Sequence, residues 1–313
     1  MTHNINSLFY YGAKPWHKLG TEVKEAQTSA TAIEAAGLNW QVQKNRLQRA
    51  DGVQVDAFAT VRSDTLDTLG VVGDVYRPLQ NKEAFSFFDA IVGEKAAIYH
   101  TAGALGKGET VWILAKLPGY IRVVGDDVSE KYLLLTNRHD GTGAVQVRFT
   151  PIRVVCQNTL NVALGGTEKA FKARHTGSLG LRVRSVQEYL GIVDAKANLF
   201  EEAAKKLATV QLTKGAWNDY IKNTGLVPEV KPGDSRSVRA YQIIEDVSRL
   251  FERGKGQDLP GARGTAWGAF NAVVEYVDYV RSTRNDKLSE SLLFGSGAQL
   301  KQAAWDNALS LAR

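Results

Sequence analysis

The hydrophobic period of this chain changes once, near Ser185, and that change bounds what it can fold into. Upstream, apolar and polar residues alternate in short runs broken by turn formers. In one such run Val145, Val147 and Phe149 alternate with Gln146, Arg148 and Thr150, the pattern of a strand with one wet face. Downstream, Val186, Leu190, Val193, Ala197, Phe200, Ala204 and Leu207 recur at helical spacing behind the capping box Ser185-Val186-Gln187-Glu188. The two periods predict an α+β protein with antiparallel β-hairpins and packed helices in its N-terminal part and a helical C-terminal part. We place the boundary between residues 1–184 and 185–313. A chain of 313 residues that is 44% hydrophobic and 23% charged has enough apolar material for real cores in both parts.

Local signals fill in the order of elements. Thr28 caps a helix to Ala36, which Gly37 stops. The runs Trp40 to Arg49 and Val53 to Val61 meet across Ala50-Asp51-Gly52, a strong hairpin signal. Leu69 to Tyr76 reads as a further strand, with Asn81 next as the cap of a helix through Ala84, Phe85, Phe88 and Ile91. Strands at 96–101 and 109–117 flank Gly103-Ala104-Leu105-Gly106-Lys107-Gly108, a hairpin turn rather than a phosphate cradle, because the GxxxxGK[ST] spacing is missing. Asp126 and Asp127 follow a short strand at 120–124 and are expected to be solvated turn residues. Further helices are expected at 214–223, 235–253, 265–281 and 298–312. In the third of these Trp267, Asn271, Glu275 and Tyr279 share one face, which we read as a docking stripe.

The central stretch Lys131 to Leu164 interleaves polar chemistry with strand signals. His139-Asp140-Gly141-Thr142-Gly143 joins the run Leu133 to Leu135 to the run Ala144 to Val155, a second hairpin. RVVCQNTLNVAL then passes into a short helix capped by Asn158 or Thr159 and ended by Gly165-Gly166. From Arg138 to Arg184 the chain carries eight Lys and Arg against Asp140 and Glu168, which equals the whole net charge of +6. Such concentration favours a phosphate partner, with Arg138, His139, Arg148, Arg153, Lys169, Lys172, Arg174, Arg182 and Arg184 as the contacts. A basic hairpin around Thr176-Gly177-Ser178 belongs to the same span. On an uninterrupted strand Arg148 and Arg153 point to opposite faces, and a break at Pro151 is expected to bring them together, since burying either guanidinium alone would be costly.

TNRHDGTGAV followed by TPIRVVCQNTLNVAL resembles the central signature of a phage/plasmid-like protein family, domain of unknown function 932. PWHKLGTEV, from Pro15 to Val23, and WGAFNAVVEYVDY, from Trp267 to Tyr279, are similar to its N- and C-terminal signatures. The resemblance implies a protein of phages and mobile elements and brings no catalytic residue with it.

Enzyme readings find little support in the residues. Cys156 closes an apolar run, the setting of an inert buried thiol, and as the single cysteine it forms no internal disulfide. His3, His17, His100, His139 and His175 show no zinc spacing. No metal and no cofactor is implied. His139-Asp140 is explained by turn chemistry, and a divalent-metal nuclease needs more carboxylates than the basic span has. No apolar run is long enough for a membrane span and the start MTHNINS is no signal peptide, so the expectation is a cytoplasmic protein of a bacterial host cell. The expected function is nucleic-acid binding, with single-stranded DNA preferred, in strand annealing, recombination or replication, by a homo-oligomer. The alternatives are a metal- or Cys-dependent hydrolase or nuclease, and a phage interaction protein acting on a host factor.

Overall fold

The computed structural model describes residues 5–12, 20–25, 28–86, 89, 98–155, 158–159, 171–173, 175, 186–230, 236–281, 291–292 and 295–313. It is an α+β protein, with sheets in the N-terminal part and helices in the C-terminal part. The strands are β1 (Ile5–Tyr11), β2 (Thr21–Val23), β3 (Val42–Gln48), β4 (Gln54–Arg62), β5 (Thr68–Val72), β6 (Ile98–Leu105), β7 (Thr110–Arg122), β8 (Val128–Arg138), β9 (Val145–Arg153), β10 (Asn158–Thr159) and β11 (Phe171–Ala173). The helices are α1 (Ser29–Ala35), α2 (Val186–Thr209), α3 (Lys214–Asn223), α4 (Ser237–Arg253), α5 (Ala266–Glu275) and α6 (Ser296–Leu311), with a π-helical turn, Tyr276–Val280, continuing α5. One sheet runs β10-β9-β8-β7-β6-β1-β2, with β11 also pairing onto β9, and a smaller sheet runs β3-β4-β5. Pairing is antiparallel wherever a register is defined, except between β1 and β2. The chain divides into two compact units. The first comprises Met1–Pro118, Tyr132–Phe149 and Lys169–Val193, and the second Gly119–Lys131, Thr150–Glu168 and Asp194–Arg313.

In the first unit, elements fixed by local chemistry stand where the sequence puts them. Thr28 caps α1 and exchanges side-chain bonds with Thr31 in a capping box. Gly52, at φ +83°, turns β3 into β4, a conformation that glycine adopts without strain. The β6–β7 turn is tighter than expected, because Gly103 to Leu105 lie inside β6 and only the residues after them turn. A Cβ on Gly103 would stand 2.3 Å from the Ser7 carbonyl oxygen, so β1 packs against bare backbone there. β5 stops at Val72, short of Tyr76. Asn81 is not the expected cap. Gln80 precedes the helix at 81–86, its N–H donating to Glu83 Oε2, while its own amide pairs with both the N–H and C=O of Val42. Asn81 turns inward and donates to the carbonyls of Leu38 and Trp40. Phe9, Leu38, Phe85 and Ile113 are fully buried here.

The second unit is built around α5. Thr213 and Thr265 cap α3 and α5 as N-cap side chains should. Phe200, Trp267, Phe270 and Trp305 form its aromatic centre, with Trp305 stacked on Phe200 at 5.0 Å and edge-on to Phe270 at 5.1 Å. The stripe read as a docking face is one side of a helix enclosed on all sides, since all ten residues of α5 are buried. Tyr279 stays 38% exposed. Lys301 and Asp278 form a buried ion pair at 3.0 Å. Among the described residues no helix is long and apolar enough to cross a membrane.

Candidate nucleic-acid interface

The structure divides the nominated residues into two that are locked inside, two that reach the surface, Lys172 in the strand β11, and four outside the described residues. Arg153 ends β9. Its Nε and Nη2 donate to Asp127 Oδ1 and Oδ2 at 2.7 and 2.6 Å, and Nη2 also reaches the Gly256 carbonyl at 3.1 Å. Trp267 Nε1 donates to the same carboxylate at 2.8 Å. Arg153, Asp127 and Trp267 are each 0% exposed. This corrects two expectations together. Asp127 is not a solvated turn residue, and Arg153 has no surface to offer a phosphate in this conformation. The expected break at Pro151 presumed a guanidinium without a partner, and Asp127 is that partner. β9 runs through Pro151 to Arg153, and Pro151, with no N–H to give, falls between the stretches paired by β11 and β10.

β10 brings a second correction. Asn158 and Thr159 pair antiparallel with Arg153 and Ile152, so they continue the sheet instead of capping a helix. The proposed helix end at Gly165-Gly166 lies outside the described residues, as does Cys156.

His139 is buried as well. Its Nε2 lies 3.0 Å from Asn81 Oδ1, its N–H donates to the Glu109 carbonyl, its carbonyl accepts from Thr60 Oγ1, and Trp40 packs edge-on at 5.4 Å. Burial drives its pKa down to about 3, with the His175 charge a smaller cause, so the imidazole is neutral near pH 7 and cannot serve as a surface cation. Asp140 behaves as a turn residue: Oδ1 accepts from the N–H and hydroxyl of Thr142 at 2.9 and 2.8 Å. The Asp140 backbone packs against Gly70, where a Cβ would meet the Asp140 carbonyl oxygen at 2.4 Å.

Arg138 and Arg148 remain partly exposed. Arg138 Nε stands 3.7 Å from Asp140 Oδ2. Arg148 shares the wetter face of β9 with Gln146, to which its Nη2 donates at 2.6 Å, while Val145, Val147 and Phe149 are buried. β11 sets Lys172 opposite Gln146 in the ladder. Lys169, Arg174, Arg182 and Arg184 lie outside the described residues, as do Trp16, His17 and the turn at 176–178. The structure therefore joins Arg148 to the register position of Lys172 and removes Arg153 and His139 from any surface patch. Because Asp127 lies outside the span from Arg138 to Arg184, the charge excess counted there overstates its field by the one charge that Asp127 cancels. Asp127 and Asn81 were not singled out for this role because their partners are remote: Asp127 is 26 residues from Arg153 and 140 from Trp267, and Asn81 is 58 from His139.

These features define an α+β protein with a long-stranded sheet whose central hairpin carries a buried imidazole inside and arginines at its wetter side. Residues 68–301 match the family model described as Domain of unknown function (DUF932), and the chain belongs to that family. No curated protein and no solved structure matches the chain.

Proposed function

We propose that this chain binds nucleic acid through phosphate contacts, with single strands preferred, as a cytoplasmic, self-associating protein of a phage or other mobile element engaged in strand annealing, recombination or replication. The observation that carries the reading is the basic, part-exposed side of β9: Arg148 stands there, and the adjacent strand adds Lys172 to the same ladder. Arg138 at the end of β8 extends it. The remaining cations of the span, Lys169, Arg174, Arg182 and Arg184, follow in sequence. Phosphate contact supplies affinity without reading bases.

The test is fluorescence anisotropy of labelled oligonucleotides in a salt series. Neutralising about four phosphates of a single strand gives a log-log slope of roughly −3. Arg148→Ala should weaken binding to every sequence alike and make the slope shallower by about 1 unit. Absence of binding at about 50 mM salt, where counterion release favours it most, overturns the proposal and leaves a protein partner as the better reading.

A further inference from the structure

A cavity of about 570 Å³ in the second unit is lined by Arg236, Arg239 and Arg281, with Tyr276, Ser296 and Gln299 among its other polar residues and, among the described residues, no aspartate or glutamate. Its size is that of a small-molecule site, for which about 300–1,000 Å³ is usual. We propose that this cavity binds a small molecule bearing a di- or triphosphate group attached to an apolar or aromatic body, as in a nucleoside polyphosphate.

The backbone converges on this arrangement. Tyr276 and Arg281 are five residues apart, which in an α-helix would set them about 140° apart around the axis. The π-turn closes with the Arg281 N–H on the Tyr276 carbonyl at 2.7 Å, and so carries both side chains into the cavity lining. π-bulges of this kind concentrate at functional sites. Arg281, half-buried, donates both Nη groups to Ser296 Oγ, at 3.3 and 3.2 Å. That acceptor is neutral and leaves the guanidinium charge uncompensated. Burial pulls the Arg281 pKa below its ordinary range, Tyr276 opposes this, and the like charge of Arg239 is a smaller cause in the same direction as burial. An anion would offset the cost of burying this cation. Ser296 also opens α6, where the Gly297 N–H already donates to Ser291 Oγ at 3.2 Å, and the helix dipole adds potential of the same sign.

Guanidinium groups are planar forks suited to paired oxygens, and several forks around one cavity call for more oxygens than one carboxylate carries. A phosphate chain supplies them. Leu226, Ile243 and Leu300 line the same cavity and give an apolar wall for the rest of the ligand. This site is independent of the basic side of β9.

Isothermal titration of the full chain, without magnesium and at fixed ionic strength, with inorganic pyrophosphate and with each ribonucleoside triphosphate tests this. The expected result is saturable one-to-one binding, tighter for triphosphates than for pyrophosphate, and weakened at least about tenfold by Arg281→Gln or Arg239→Gln, as for loss of a charge-assisted hydrogen bond. Arg49→Gln, on an exposed arginine paired with Asp51, should change nothing. Without ligand, Arg239→Gln should melt like the parent, because Arg239 is exposed. Oligonucleotide binding should be unaffected by them. No saturation up to about 10 mM, an affinity too weak for a built site, overturns the proposal, and so does equal binding by parent and both cavity variants. Pyrophosphate binding as tightly as triphosphates overturns the nucleoside part. Loss of oligonucleotide binding in the cavity variants, with triphosphate competing, overturns the small-molecule assignment in favour of a strand phosphate.

Discussion

Removing the Asp127 carboxylate should destabilise the chain far more than removing any exposed charge. In Asp127→Ala the Arg153 guanidinium stays at 0% exposure with its two short bonds to carboxylate gone, and the Gly256 carbonyl is no substitute for a bidentate carboxylate. Breaking a buried pair in this way costs about 3–5 kcal/mol. The Trp267 indole N–H loses its acceptor at the same moment, which adds about 1–2 kcal/mol for an orphaned buried donor. The sum, about 4–7 kcal/mol, is a large part of the roughly 5–15 kcal/mol that holds a native protein together. The double replacement Asp127→Leu with Arg153→Met removes both charges and fills the space, and should restore most of the loss because an apolar pair avoids desolvation altogether. Urea denaturation followed by far-ultraviolet circular dichroism and tryptophan fluorescence measures both through the midpoint and slope. Arg148→Ala in the same assay should cost under about 1 kcal/mol. The reasoning fails if Asp127→Ala costs no more than Arg148→Ala, or if the double replacement is as damaged as the single one.

Two further outcomes concern the central hairpin. His139 has a folded pKa of about 3 against an ordinary 6.5, so the unfolded chain binds the extra proton between those values. Its contribution to stability is complete above pH 6.5 and declines as pH falls toward 3, by up to about 1.4 kcal/mol per pH unit. His175 is lowered too and acts in the same direction, so the comparison is with His139→Gln, whose stability should fall less steeply over that range. Equal slopes would show that His139 does not titrate as described. Gly70→Ala should lower the melting temperature, since its Cβ would stand 2.4 Å from the Asp140 carbonyl oxygen and overpacking costs about 1–3 kcal/mol. Gly73→Ala, whose Cβ meets nothing within 4 Å, is the control and should melt like the parent.

How much was legible in the sequence follows from how far each determinant reaches. Asp51-Gly52, the Thr28 cap and the stretch Lys214 to Asn223 are settled within a few neighbours, and the structure has the hairpin, the capping box and α3 there. The period change was legible for the same reason. Asn158-Thr159 was not, because a good cap residue is also an adequate strand residue, and the choice fell to pairing with β9. Alternation gave Arg148 its wetter face, but could not show that a carboxylate 26 residues upstream had made a buried place for Arg153. Asp127 itself lay in a plain acidic turn, and no local signal told it from Asp126, whose side chain is fully exposed. Of the cavity in the second unit, only the helices that frame it were legible. Its arginines come from two distant places, the start of α4 and the end of the π-turn, and a π-turn has no simple sequence period.

The complete enclosure of α5 also bears on how the second unit meets water. With every residue from Ala266 to Glu275 buried, no side of this helix can be hydrated by fraying of one neighbour alone. Its amide hydrogens are therefore released to solvent through opening of the whole unit, whereas exposed helix surfaces exchange through small local excursions. A single deuterium-labelled peptide spanning 266–275 would report the free energy of that opening directly, in native buffer and without denaturant.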